Sequence, residues 1–233
     1  MSRLPKVANP ERKVYPSDLS DQEWNEIEQL LPQPKGIGHP RTVNLREILN
    51  AVFYVQRSGC QWEMMPHDLP AYTTVYRYFQ KWQRLGVWQA IHDQLRHKLR
   101  SQMGQDELST VAIADSQSVK TTEKREPVRP RGFPDLKQLA WEVYGYDGGK
   151  KVKRRKRHIV VDSQGLLIGL LVSEAQTSER LGAAVVLVEA ADELSKVEVV
   201  WVDSGYSGDN FARVVAQICS ARVEVTRANF SGI

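Results

Sequence analysis

Hydrophobic positions along this chain change their spacing once, from helical through the first hundred residues to strand-like afterwards. Ser20 and Glu23 have the spacing of a capping box, and Trp24, Ile27 and Leu31 follow at helical intervals, predicting a short helix that ends near Pro32. After a Gly/Pro-rich loop over residues 32–40, Asn44 and Glu47 repeat the box, and Ile48, Leu49, Val52 and Val55 line a second helix that Gly59 ends. A third helix is predicted from Thr73 or Thr74 to Gly86, with Val75, Phe79 and Trp82 on one face and Arg77, Lys81 and Arg84 on another. Trp88, Ile91, Leu95 and Leu99 then carry a fourth helix to about Gly104.

Past residue 110 the pattern predicts a strand over 111–115 and a hairpin of 155–161 and 166–172 around a turn at 162–165. Leu181, Ala184, Val185, Val188 and Ala191 read as the inner face of a helix, 197–203 as a strand, Phe211, Val214, Val215 and Ile218 as another helix, and 221–226 as a last strand. The predicted fold is α+β, with a flexible tail over 1–16, a helical domain over 17–104 and an α/β domain over 111–233. Strand, hairpin, helix, strand, helix, strand is the order of an RNase H-like domain, whose three leading strands are antiparallel. The four helices resemble a helix-turn-helix domain, with the third as recognition helix and Thr74, Arg77 and Lys81 as DNA contacts. The 13-residue connection over 59–71 exceeds that of a simple helix-turn-helix, and a plain helical scaffold is the alternative.

Composition narrows the class. With 233 residues, 41% of them hydrophobic, the chain can bury one sizeable core or two modest ones. Its longest apolar run, 8 residues over 165–172, is too short to cross a bilayer, and the N-terminus opens no signal-like segment, so a cytoplasmic protein without a membrane partner is expected. Cys60 and Cys219 stand alone, without zinc spacing, and are expected as reduced thiols. The net charge of +4 hides a segregation: residues 120–158 hold 13 Lys or Arg against 5 Asp or Glu, a balance of +8, leaving −4 for the rest. Such a concentrated field suits phosphates, although a solvated loop or a strand turning its cations outward would read the same way.

Two β-forming runs flank this segment and each delivers an aspartate followed by serine, at Asp115-Ser116 and Asp203-Ser204. A carboxylate at the end of a buried strand can hold a metal ion at the rim of a sheet. The blander reading is that each Asp caps a following turn or helix. As a pair around dense positive charge, they point to a metal-dependent enzyme acting on nucleic acid.

Three motifs in order carry a family resemblance: residues 113–121 around Asp115, the basic run 144–158, and residues 201–206 around Asp203. Together they resemble the DDE transposases of bacterial insertion sequences, family five of the IS4/5 group, and residues 19–24, 59–62, 69–70 and 74–82 are similar to that family's N-terminal helical domain. The resemblance implies two magnesium (or manganese) ions on three carboxylates, in-line attack on a phosphodiester, and transposon ends and target DNA as partners. It implies Asp115 and Asp203 as the first two catalytic, metal-binding acids. Lys150, Lys151, Lys153, Arg154, Arg155, Lys156, Arg157 and His158 would hold the DNA backbone. The family's third acid, a glutamate on a helix after the last strand, has no counterpart before Ile233, and Glu174 and Glu179 do not match its position. The expectation is a truncated transposase, impaired alone, with possible complementation by a C-terminal fragment or self-association. Pro127, Pro130 and Pro134 mark an irregular insertion over 125–142 without an assigned role.

The alternatives are a non-catalytic DNA-binding protein that competes with full-length transposase, an RNase H-like nuclease indifferent to end sequence, and an unfolded gene remnant. Salt-sensitive binding without cleavage marks the first, and loss of a cooperative melt marks the last.

Overall fold

The computed structural model describes residues 12–33, 43–120, 145–147 and 152–226, with 120, 145–147 and 152–154 described by backbone alone. The chain divides into two compact units, Met1–Leu95 and Arg96–Ile233. Lys150, Lys151, the insertion over 125–142 and the segment after 226 lie outside the described residues.

The first unit holds α1 (Asp21–Glu28), α2 (Leu45–Ser58), α3 (Tyr72–Arg84) and the start of α4 (Val87–Gln102). Their apolar stripes meet in a core of Ile27, Leu31, Ile48, Leu49, Val52, Val75, Trp82 and Ile91, as the spacing predicts. The first capping box is reciprocal: Ser20 Oγ accepts from Glu23 N, and Glu23 Oε2 accepts from Ser20 N at 2.8 Å. The second is not. Asn44 caps α2, but Glu47 turns to a buried Arg12, whose Nε lies 2.7 Å from Glu47 Oε2 and whose Nη2 donates to Asp18 at 2.8 Å. Within residues 12–16, expected as tail, Arg12 is buried and Tyr15 half-buried, while Lys13 and Pro16 are exposed; Tyr15 meets the Tyr54 ring edge-on and donates to Asp68. The recognition-helix candidate α3 starts at Tyr72, one or two residues early, with Ala71 as an N-cap that offers no side-chain bond.

The second unit is mixed α/β, with β1 (Val111–Lys120), β2 (Gly145–Asp147), β3 (Val152–Asp162), β4 (Leu167–Glu174), β5 (Val199–Val202) and β6 (Arg222–Val225) in one sheet. β1, β3 and β4 pair antiparallel, then β5 and β6 join β1 in parallel, while β2 adds a short strand that the sequence pattern did not show. Helices α5 (Glu179–Glu189) and α6 (Asp209–Cys219) contribute Ala183, Val186, Leu187, Phe211 and Val215 to a core with Ala112, Ala114, Val160, Ile168, Val200 and Val202.

Two helical faces differ from expectation. In α5 the buried residues are Gly182, Ala183, Val186 and Leu187, whereas Leu181 and Val188, assigned to the inner face, are each 59% exposed. Gly182 sets this rotation, because a Cβ there would lie 2.1 Å from the His158 ring; only a glycine lets the helix sit on β3 at this point. In α4 the expected Leu95 and Leu99 are exposed, and Arg96 and Arg100 are buried instead. Carboxylates of the second unit receive them: Arg96 and His97 share Glu193, and Arg100 Nη1 meets Asp162 Oδ2 at 2.5 Å. Burial by itself would raise the Glu193 carboxyl, but His97 and Arg96 hold it below the ordinary carboxylate range.

Candidate active site

β1 runs on to Lys120, so Asp115 lies in mid-strand and not at its end. What opens space beside it is the brevity of β5, which pairs Val199, Val200 and Trp201 with Val111, Ala112 and Ile113 and ends at Val202. Continuing that register two residues along both strands brings Asp115 alongside Asp203, whose backbone is still extended at φ −79° and ψ 178°. Each carboxylate is steadied by one oxygen: Asp115 Oδ1 accepts from Ser116 N at 2.7 Å, and Asp203 Oδ1 from Gly205 N at 2.9 Å. Asp203 thus does cap the 3-10 turn Ser204–Tyr206, yet a carboxylate anchored by one oxygen can offer the other to a cation.

That turn draws further groups in. Tyr206 is buried, and its hydroxyl completes no hydrogen bond although the Ser116 hydroxyl is near enough to act on it. Burial first, then the charges of Glu179, Asp115 and Asp203, push the Tyr206 phenol up to about 12. Ser178 caps α5 by accepting from Leu181 N, which places Glu179 and Arg180 in its first turn. Arg180 Nε donates to Gly205 O at 3.2 Å. A Cβ on Gly205 would sit 2.5 Å from Glu179 Oε2 and 3.1 Å from Asp203 Oδ1, so those two oxygens are at most about 5.6 Å apart.

The basic strand splits by alternation. Ala112, Ala114, His158 and Val160 face α5, while Asp115, opposite Ile159, and Arg157, opposite Gln117, lie on the other face. His158 is fully buried under Gly182 with Nε2 2.9 Å from Ser173 Oγ, which removes it from any DNA-contacting surface. Burial, aided by Lys156, holds its pKa below the ordinary 6.5, with Glu179 opposing. Lys156 is also tied inward: its Nζ donates to Thr177 O at 3.0 Å and lies 3.9 Å from Glu179 Oε1. Arg157 is exposed and donates to Gln117 Oε1 at 2.6 Å, and Arg155 lies half-buried on the same face. Lys153 and Arg154 are placed by backbone only, in β3. On α3, Arg77 and Lys81 are exposed and Thr74 is half-buried.

Residues 106–224, half of the chain, match the family described as transposase DDE domain, and residues 19–92 match a putative transposase family of the IS4/5 type. The chain belongs to the DDE transposases of the IS4/5 type. Asp115, Asp203 and Glu179 all fall inside the DDE-domain match. An uncharacterized 16.2 kDa protein of insertion element IS402 from Burkholderia cepacia is 32% identical over 112 residues, 44% of this chain and 72% of that protein. A protein of Sinorhizobium fredii, y4sN, is 37% identical over 70 residues, 30% of this chain and 55% of that protein. A chain in the crystal structure of a pre-cleavage Mos1 transpososome aligns with 91% of this chain and 68% of its own at 9% identity and a TM-score of 0.32, a value that carries no argument.

Hard oxygen donors on adjacent strands are the chemistry magnesium and manganese take. Asp115 and Asp203 fit as two such donors, but no group of three or more His, Cys, Asp or Glu stands within metal-holding distance among the described residues. No helix among them is long and apolar enough to cross a membrane. Glu179 opens a helix after the hairpin and so does not match the position of the family's third acid after the last strand. The signal available was its place immediately after the hairpin, which brings α5 back over the aspartate strands.

Proposed function

We propose that this chain is the transposase of an insertion sequence, contacting its element's ends through α3 and cutting them at a divalent-metal site built on Asp115 and Asp203. The observation that carries the reading is the parallel register of β1 and β5, which continued two residues sets Asp115 level with Asp203, within the span that matches the DDE domain. Three antiparallel strands followed by two parallel ones support an RNase H-like reading of that domain. Bound magnesium or manganese would supply Lewis-acid activation of a water or DNA 3′-hydroxyl and of the leaving oxygen. The chain's own part is to hold the two carboxylates side by side and to fix their rotation through Ser116 N and Gly205 N. Arg157 and the exposed Arg77 and Lys81 supply positive charge for phosphates, a role in which charge outweighs base identity.

The test is cleavage of a labelled duplex carrying the element's end, with and without magnesium. The parent chain is expected to nick it in magnesium, and Asp115→Asn and Asp203→Asn each to slow the reaction at least roughly a hundredfold, as loss of one central electrostatic group does. Cleavage that persists undiminished in both variants would sink the assignment. Salt-sensitive binding by a parent that never cleaves identifies the competing non-catalytic DNA binder.

A further inference from the structure

We infer that Glu179 is a third oxygen ligand of this site, sharing with Asp203 the divalent cation assigned above, so that the chain carries a third carboxylate on the first turn of α5. The inference rests on the metal-site reading and deepens it. Glu179 divides its carboxylate between two neighbours: Oε1 lies 3.9 Å from Lys156 Nζ, while Oε2 points across Gly205 toward Asp203 Oδ1. Ligand oxygens of one octahedral magnesium stand about 3 Å apart in cis and 4 Å in trans. With the separation at most about 5.6 Å and Asp203 Oδ1 held by Gly205 N, rotation of the Glu179 side chain is the movement that brings the two oxygens onto one cation.

Position 205 must lack a side chain for this approach, since any Cβ would displace Oε2. The second observation is Tyr206, whose hydroxyl is buried, completes no hydrogen bond, and lies within the fields of Glu179, Asp203 and Asp115. Apart from the nearby Ser116 hydroxyl, this buried group has no partner among the described residues, and a metal-bound water offers it one. Asp115 leaves β1 on the face away from α5 and completes the set from the adjacent strand. Lys156, donating to Thr177 O, limits the self-repulsion of the acids while no cation is bound.

Manganese binding by the full chain, measured by titration calorimetry together with thermal melting, tests this without relying on activity. Glu179→Gln is expected to weaken manganese binding at least about tenfold with melting retained. Gly205→Ala is expected to weaken binding too, since its methyl group pushes against Glu179 Oε2 at 2.5 Å and presses on Asp203 Oδ1 at 3.1 Å. Glu174→Gln, at the far end of the β4 ladder opposite Arg155, serves as the acidic control and should bind as the parent does. If Glu179→Gln and Gly205→Ala bind like the parent while Asp115→Asn and Asp203→Asn do not, the inference falls and the two-aspartate reading stands. If the parent binds no manganese, both fall. Should Glu179→Gln fail to fold, Glu179→Ala decides, and manganese binding equal to the parent's overturns the inference.

Discussion

Gly182 shows how one missing atom governs a helix position. Its replacement by alanine would drive a methyl group to 2.1 Å from the His158 ring, which is enclosed by α5, β1 and β4 and has no room to yield. Gly182→Ala is expected to lower stability by about 1–3 kcal/mol, read as an earlier urea midpoint of the second unit. His158 itself makes stability depend on pH. Burial holds its pKa below 6.5, so between that folded value and 6.5 the unfolded chain binds more protons. The contribution is complete above about 6.5 and is lost as pH falls through the folded pKa. The urea midpoint should therefore drop between pH 7.5 and 5.5, and His158→Gln should flatten that dependence. Neither effect was legible in the sequence, where His158 reads as the last member of a basic run; only strand alternation, fixed by pairing with β1 and β4, turns it inward.

At the level of elements, α4 begins with an apolar face and continues with a charged one. Val87 and Ile91 join the first core, and one turn further the buried residues are Arg96 and Arg100. Arg100 is 3% and Asp162 0% exposed, so Arg100→Met leaves a buried carboxylate without its cation and should cost about 3–5 kcal/mol in urea denaturation. Exchanging Asp162 as well should not recover it, because Asp162 Oδ1 also accepts from Gln164 N and Leu166 N and so holds the β3–β4 turn. Helical periodicity predicted α4 but assigned its second half to Leu95 and Leu99, since arginine counts as a surface residue until a carboxylate is known to wait for it. On α3 the exposed Arg77 and Lys81 project from a helix whose Val75 and Trp82 are buried. Alanine at either position should leave melting unchanged, weaken DNA binding, and reduce the slope of log affinity against log salt by about 0.9.

Across the whole molecule, charge is segregated: residues 120–158 carry a balance of +8 within a chain of net +4. DNA affinity should accordingly fall steeply between low and physiological salt, with a slope exceeding the contribution of α3 alone, and Arg157→Ala should lower that slope further. The sequence by itself determined the two classes of structure, nearly all the elements and the family, and singled out the two aspartates, because capping residues, hydrophobic period and short motifs are local properties of the chain. Tertiary structure alone decided which face α5 and the second half of α4 bury, and which groups meet. Asp115 and Asp203, 88 residues apart, come level when the β1–β5 register is continued, and Glu179 Oε2 and Asp203 Oδ1 flank Gly205, which puts no side chain between them. His158 is buried and Lys156 turns toward Thr177 and Glu179 because pairing on both sides of β3 fixed their orientation. Such contacts depend on strand pairing and on close approach between residues far apart in sequence, which no local pattern encodes.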